Sequence, residues 1–277
     1  MRITILANRD LASNMAINLL LQQMPEHDFV IFLSAKVGKS ENLPEPLKTL
    51  GFIEQTLFNQ IVFPLIDTHQ EVANFANPPA LSGLHFKSFQ QIAAQGIAVK
   101  DIQNINSSCG YQDIVKQEPE LIISIRFGQI LQEPIIRMPK LGVINLHSGE
   151  LPNFRGVMAT FWAMLNNQKK IGTTLHFIDS SKIDAGKVIA NSQQDVDYQH
   201  SYLYNVLSLY PQGVDTIVCA VNQLIRGEAL KTRSMDLSRG QYFSFPDEIT
   251  LNQFTRQGKR LYDYDEITEW VAKYRLP

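Results

Sequence analysis

Two short apolar runs near the N-terminus, Arg2–Ala7 and Asp28–Ser34, constrain the fold of this chain more than any other feature. Each reads as one strand, and Leu11–Met24 between them carries Met15, Ile17, Leu19, Leu20 and Leu21 in a helical pattern. Strands separated by a helix pair in parallel through a right-handed crossover. Parallel strands need cover on both faces, so the expected class is α/β: a mostly parallel, twisted sheet flanked by helices.

The rest of the chain extends this plan. Leu121–Ile125 and Gly142–Leu146 read as further strands, and Ile171–Gln193 as two strands joined by a turn at Asp184. Tyr111–Gln117 and Val157–Asn167 read as helices, the second with Phe161, Trp162 and Leu165 toward the core. Tyr202–Ile225 is also helical, with Pro211 either breaking it or starting its second half. The Leu- and Phe-rich segment Pro44–Ile66 reads as one or two helices. Gly227 is a helix stop, which divides the chain into residues 1–227 and a short C-terminal appendage, 228–277.

Composition excludes several roles. A net charge of −2 gives no bulk attraction for a polyanion, so nucleic acid is disfavoured as a partner. Cys109 and Cys219 have neither metal nor redox spacing. The chain opens directly into a strand, without a charged segment followed by an apolar one, and no stretch is apolar enough to span a membrane. A soluble, cytoplasmic protein is the expectation. The turn after the first strand, Asn8-Arg9-Asp10-Leu11, lacks the glycines that let a backbone approach a pyrophosphate, which argues against a dinucleotide enzyme.

Chemistry concentrates in Asn145-Leu146-His147-Ser148-Gly149-Glu150-Leu151-Pro152-Asn153-Phe154-Arg155-Gly156. Two residues apart on an extended chain, Asn145 and His147 project to the same side, a neutral donor beside a group that titrates near neutrality. Reaction at a carbonyl needs such a pair, one group for the developing oxyanion and one for the proton. Each residue also has an ordinary reading, a satisfied core histidine and a turn asparagine. Asp184, in Ile183-Asp184-Ala185-Gly186, adds a third group. A metal grouping of His147, His176 and Asp184 lacks any closely spaced ligand pair, so no metal is expected.

The chain resembles the folate-dependent formyltransferases, including the glycinamide ribonucleotide, methionyl-tRNA and amino-sugar enzymes and the related formyltetrahydrofolate hydrolases. The shared pattern is Asn-x-His, a Leu-Pro-x-aromatic-Arg-Gly loop, and an Asp-x-Gly turn, matched at Asn145, His147, Leu151, Pro152, Phe154, Arg155, Gly156, Asp184 and Gly186. The likeness is specific over Leu121–Ala190 and generic elsewhere. Ser148-Gly149-Glu150 stands where the family usually has Pro-Ser-Leu. The resemblance implies a Rossmann-like fold with residues 1–227 as the catalytic domain, makes Pro44–Ile66 an insertion, and gives His176 a structural role.

It also implies a reaction: transfer of formyl from 10-formyltetrahydrofolate to a primary amine. Asn145, and His147 when protonated, would donate to the oxyanion, while Asp184 would orient His147 and relay protons. The pterin slot would be built from Phe127-Gly128-Gln129-Ile130-Leu131 and from Asp179-Ser180-Ser181. Ser148 as a covalent nucleophile has nothing nearby in sequence to activate it. Glu150 has two open readings, a contact to the acceptor or a solvated loop charge. The expected acceptor is a small molecule, a nucleotide-linked amino sugar among them, and the resemblance leaves a homodimer open. A tRNA acceptor would want a basic surface, yet residues 228–277 carry eight Lys/Arg and eight Asp/Glu. A hydrolase would want a preceding ligand-binding domain, for which a strand beginning at residue 2 leaves no room. A folate-binding module with a decayed site is the non-enzymatic alternative.

Overall fold

The computed structural model describes residues 1–34, 42–73 and 85–274, with the side chains of 69–73 left aside. β1 (Arg2–Asn8), α1 (Leu11–Gln23) and β2 (Asp28–Ser34) form the expected parallel opening. A helical passage follows: α2 (Glu45–Gly51), a π-helical stretch Phe52–Val62, and α3 (Phe63–Ala73). Next come α4 (Phe89–Ala94), β3 (Ala98–Asp101), α5 (Ser108–Val115), β4 (Leu121–Ile125), α6 (Glu133–Ile136) and β5 (Val143–His147). β3 carries no apolar run because it is a four-residue, half-exposed edge strand, so nothing in the sequence marks it.

Beyond β5 lie β6 (Phe154–Gly156), α7 (Ala159–Leu165), β7 (Lys170–Phe177) and β8 (Val188–Asp195). α8 (Tyr202–Leu207) and α9 (Tyr210–Ile225) are separate helices, with Pro211 in the first turn of the second. The missing N–H of proline costs nothing there. The last elements are β9 (Gln241–Phe243), α10 (Glu248–Arg256) and α11 (Tyr264–Ala272).

Seven strands make one sheet in the order β3-β2-β1-β4-β5-β7-β8, parallel through β5 and antiparallel at β7 and β8. The α/β expectation therefore holds. Alternation along the strands sorts side chains onto two faces. Ile3, Ile5 and Ala7 of β1, with Leu121, Ile123 and Ile125 of β4, enter the larger core under α1, α8 and α9. Leu6, Ile122 and Val143 point the other way, into a smaller core with Ile105, Ile114 and Ile135. Asn145 and His147 share the side of Val143, as the two-residue period requires.

The chain after Gly227 joins the larger core. Leu251, Phe254, Ile267, Trp270 and Tyr274 are buried in it, and the Phe254 ring lies 4.5 Å from Phe161. Tyr274 packs its ring at a tilt against Phe63 and Phe86 and donates to Asn14 Oδ1 at 2.8 Å. Among the described residues no helix is long and apolar enough to cross a membrane.

Phe254 is 1% exposed, so removing its ring opens a cavity in the shared core. Phe254→Ala is expected to cost about 3–5 kcal/mol, read as a lowered midpoint in urea denaturation. A midpoint within experimental error of the wild type would show that α10 contributes nothing to the main core.

Candidate active site

β5 delivers Asn145 and His147, and its antiparallel neighbour β7 fixes what surrounds them. The register sets Asn145 opposite His176 and His147 opposite Thr174. Asn145 Nδ2 lies 3.1 Å from His176 Nε2, while His176 Nδ1 lies 2.8 Å from the Phe177 carbonyl oxygen. A carbonyl only accepts, so Nδ1 carries the hydrogen; with a neutral ring Nε2 then accepts from the amide. One amide hydrogen is thereby tied down and the other is left to point elsewhere. Thr174 straps the loop after β5: its hydroxyl donates to Gly149 O at 2.8 Å and accepts from Leu151 N at 3.0 Å.

Asp184 sits between the two imidazoles. Its Oδ1 is 3.6 Å from His147 Nδ1 and 3.6 Å from His176 Nε2, and its Oδ2 accepts from Gly156 N at 2.8 Å. The aspartate occupies left-handed backbone at φ 50°. The turn closes because Gly186 has no side chain: a Cβ there would stand 1.8 Å from the Phe177 carbonyl oxygen. Burial pushes the Asp184 carboxyl up, but His147 and His176 when protonated, together with the Gly156 N–H, outweigh it and hold the pKa at about 2.

His147 Nε2 lies 2.7 Å from the carbonyl oxygen of Phe154. That carbonyl belongs to β6, which pairs in parallel with β9: Phe154 with Gln241, Arg155 with Tyr242, Gly156 with Phe243. The Phe243 ring stacks on Trp162 at 4.7 Å, anchoring the ribbon. Arg155 Nη2 donates to Ile183 O at 2.9 Å, so Arg155 and Gly156 together hold the Asp184 turn. Gly149 is forced by contact, since a Cβ would come within 2.4 Å of Ala159 Cβ and 2.8 Å of His147 Nε2. Glu150 Oε1 accepts from Gln193 Nε2 at 2.6 Å, a contact to β8.

Asn145, His147 and Asp184 thus converge, joined by His176 and Thr174. The alternation of Thr174 and His176 on one strand face was visible, but their partner strand was not. The Phe154 carbonyl and β9 had no sequence signal at all, being backbone and a three-residue strand. Although His147, His176 and Asp184 meet, no group able to hold a metal ion forms among the described residues.

The proposed slot residues lie on two loops. Phe127, Gly128 and Gln129 are half-buried, Leu131 is buried, and Ile130 is exposed. Gln129 Oε1 accepts from Ile105 N at 2.9 Å, and Asn106 Nδ2 donates to Ile130 O at 2.8 Å, bracing the loop against residues 102–106. On the other loop, Ser180 is half-buried while Asp179 and Ser181 are exposed.

Residues 50–205 match the family described as formyl transferase. A methionyl-tRNA formyltransferase from Clostridium novyi is 32% identical over 133 residues, covering 47% of this chain and 42% of that protein. One from Syntrophomonas wolfei is 32% identical over 151 residues, covering 53% and 47%. The chain thus spans less than half the length of these two relatives. Among solved structures, a sugar N-formyltransferase from Shewanella sp matches with TM-score 0.52 and 16% identity, covering 88% of this chain and 76% of that one. Glycinamide ribonucleotide transformylase 1 from Symbiobacterium toebii matches with TM-score 0.53 and 12% identity, covering 84% and 93%. These likenesses fix the fold.

The depressed Asp184 carboxyl makes a stability prediction. A folded pKa of about 2 against an ordinary 3.8 means that its stabilisation is complete above about pH 4 and is lost as pH falls through about 2. Two pK units correspond to about 2–3 kcal/mol. Asp184→Asn is therefore expected to trail the wild type in chemical denaturation by that order at about pH 5, with the gap closing below about 4. A gap that holds constant into acid would mean the charge is not what stabilises this turn.

Proposed function

The chain belongs to the formyl transferase family, and on that premise we propose that it moves a formyl group from 10-formyltetrahydrofolate to the primary amine of a small molecule. The observation that carries this reading is the convergence of the Asn145 amide, the His147 ring and a permanently ionised Asp184 at the carboxyl end of β5. Similar folds support the donor: the sugar 3N-formyltransferase WlaRD was solved with dTDP and 5-N-formyltetrahydrofolate, and a Helicobacter canadensis N-formyltransferase with folinic acid and dTDP-3-aminofucose.

The residues divide the work as follows. The free Asn145 amide hydrogen meets the formyl oxygen as it gains charge. His147 donates from Nε2 to the same oxygen or to the departing folate nitrogen, exchanging the Phe154 carbonyl it now contacts for substrate. Asp184 fixes the ring and supplies the counter-charge; held at about 2, it has little affinity for a proton of its own, so we assign it the orienting role above the relaying one. The loops 127–131 and 179–181 would hold the flat, edge-polar pterin through backbone groups, with Phe127 and Ile130 as apolar neighbours.

For the acceptor, we propose an amino sugar carried on a nucleotide. The net charge of −2 and the charge-balanced residues 228–277 provide no electrostatic source for tRNA binding. The test offers charged initiator tRNA and a panel of amino-sugar nucleotides with 10-formyltetrahydrofolate at moderate salt, following tetrahydrofolate release. Turnover of a small amine with none of the tRNA is expected; efficient formylation of the tRNA alone would overturn the assignment.

His147→Ala is expected to lower kcat by about 10²-fold or more while leaving folate affinity largely intact, because the ring acts on the proton and the developing charge. Wild-type turnover in that variant would remove His147 from the mechanism.

A further inference from the structure

The strand order reverses direction between β1 and β4, since β2 and β3 lie on one side and β5 on the other. The crevice outside the carboxyl ends of two such strands is where open α/β sheets receive ligands. Arg126 stands there, one residue beyond β4, in left-handed backbone at φ 56°. Register continuity sets it beside Asn8 on one neighbour and beside His147 on the other, since Ala7 pairs Ile125 and Ile125 pairs Leu146. Adjacent strands run about 5 Å apart, so the backbone of this residue lies one strand spacing from the end of β5.

Two carboxylates hold its guanidinium. Asp10 Oδ2 accepts from Nε at 3.0 Å, and Glu54 Oε1 accepts from Nη2 at 3.0 Å. Asp10 is fully buried and already committed, capping α1 through Ser13 N and accepting from Asn8 Nδ2. Glu54 is different. It comes from the π-helical stretch 52–62, its side chain is 12% exposed, and it closes the rim of the cluster. Asn59 of the same stretch donates to Arg9 O at 3.1 Å. The i→i+5 winding brings residues five apart onto one side, so Asn59 meets Arg9 after β1 while Glu54 meets Arg126 after β4. Among the described residues the cluster sets two carboxylates against one guanidinium. The buried Tyr210 hydroxyl lies beside Arg126 and Ser148 without meeting hydrogen-bond geometry with either.

We propose that this cluster is the amine-receiving subsite, and that Glu54 takes the proton from the incoming ammonium before it attacks. The inference rests on the reading of an amine acceptor given above. The acceptor arrives as R–NH₃⁺; one N–H proton passes to the Glu54 carboxylate, and the freed lone pair bonds to the formyl carbon. The bond from that carbon to the folate nitrogen breaks; the folate nitrogen keeps the pair and takes up a proton delivered by His147, which is replaced by the second N–H proton shed from the attacking nitrogen, leaving the neutral formamide. Glu54 then returns its proton to solvent.

Charge and geometry agree with this task. An extra cation satisfies the surplus carboxylate, and the folate loop 127–131 leads to the opposite face, where Leu131 joins the smaller core. The two substrates would thus meet at the sheet edge from opposite sides. Burial, with the Asp10 charge, lifts the Glu54 carboxyl to about 6 against the pull of Arg126, a proton affinity suited to a base at neutral pH. Among the described residues the other titratable groups facing the cluster are Tyr202, Tyr210 and Tyr274, all held protonated by burial.

The test compares Glu54→Gln with the wild type, using the best amine from the acceptor panel and hydroxylamine, which is largely unprotonated at neutral pH. The expected result is a loss of about 10²-fold or more in kcat/KM for the basic amine, a much smaller loss for hydroxylamine, and an unchanged KM for the folate. The ratio of the two acceptors on one preparation does not depend on how much of the variant folds. As a readout without turnover, affinity of the basic amine for protein loaded with 5-formyltetrahydrofolate should fall in the variant. Equal losses for both amines, or unchanged kinetics and binding, overturn the role of Glu54 while formyl transfer stands. A wild type that formylates no amine overturns both.

Discussion

A single buried carboxylate holds this site together. Asp184 reaches both imidazoles through Oδ1 and the backbone of Gly156 through Oδ2, and so ties β5, β7, the β6 ribbon and its own turn to one point. A carboxylate this enclosed keeps its charge only because its neighbours outweigh the burial. Those neighbours come from three separate parts of the chain. The site therefore exists only when the sheet, the loop after β5 and the Asp184 turn are all in place.

The strands that carry this chemistry were legible in the sequence, and the groups that orient it were only partly so. Leu121–Ile125 and Asp28–Ser34 have the expected limits because their apolar runs begin and end sharply. Asn145 and His147 share a face because a strand has a period of two. His176 and Thr174 lie on the same face of their own strand, but their meeting with Asn145 and Gly149, 31 and 25 residues away in sequence, depends on an antiparallel pairing. No local pattern states which strand is the partner. The pairing of Phe154–Gly156 with Gln241–Phe243 is harder still, since two three-residue strands have no periodicity to read.

Gly149 shows how a departure from the family pattern becomes intelligible once the site is assembled. The glycine lies so close to His147 Nε2 and Ala159 that any side chain would push the ring or α7 away. With glycine there, the loop folds inward and offers the Phe154 carbonyl to His147. The same economy explains Glu150, which turns out to Gln193 on β8. The loop is thus shaped by what it packs against, Gly149 against His147 and Ala159, and Glu150 against Gln193.

The two carboxylates near the sheet edge differ for reasons of charge and not of burial, since both are enclosed. Asp184 faces two imidazoles and a backbone N–H, and is held at about 2. Glu54 shares one guanidinium with Asp10, and that sharing leaves its own burial uncompensated, so it rises to about 6. Environments that push like groups apart are what separate a fixed counter-charge from a proton carrier. One carboxylate came with the motif and was readable from it. The other arrives on a helical segment whose sequence advertises only its leucines and phenylalanines, and its neighbourhood with His147 follows from the adjacency of β1, β4 and β5 alone. Sheet order, which no local pattern encodes, is what turns Glu54 from a helix-surface acid into a group beside the reaction.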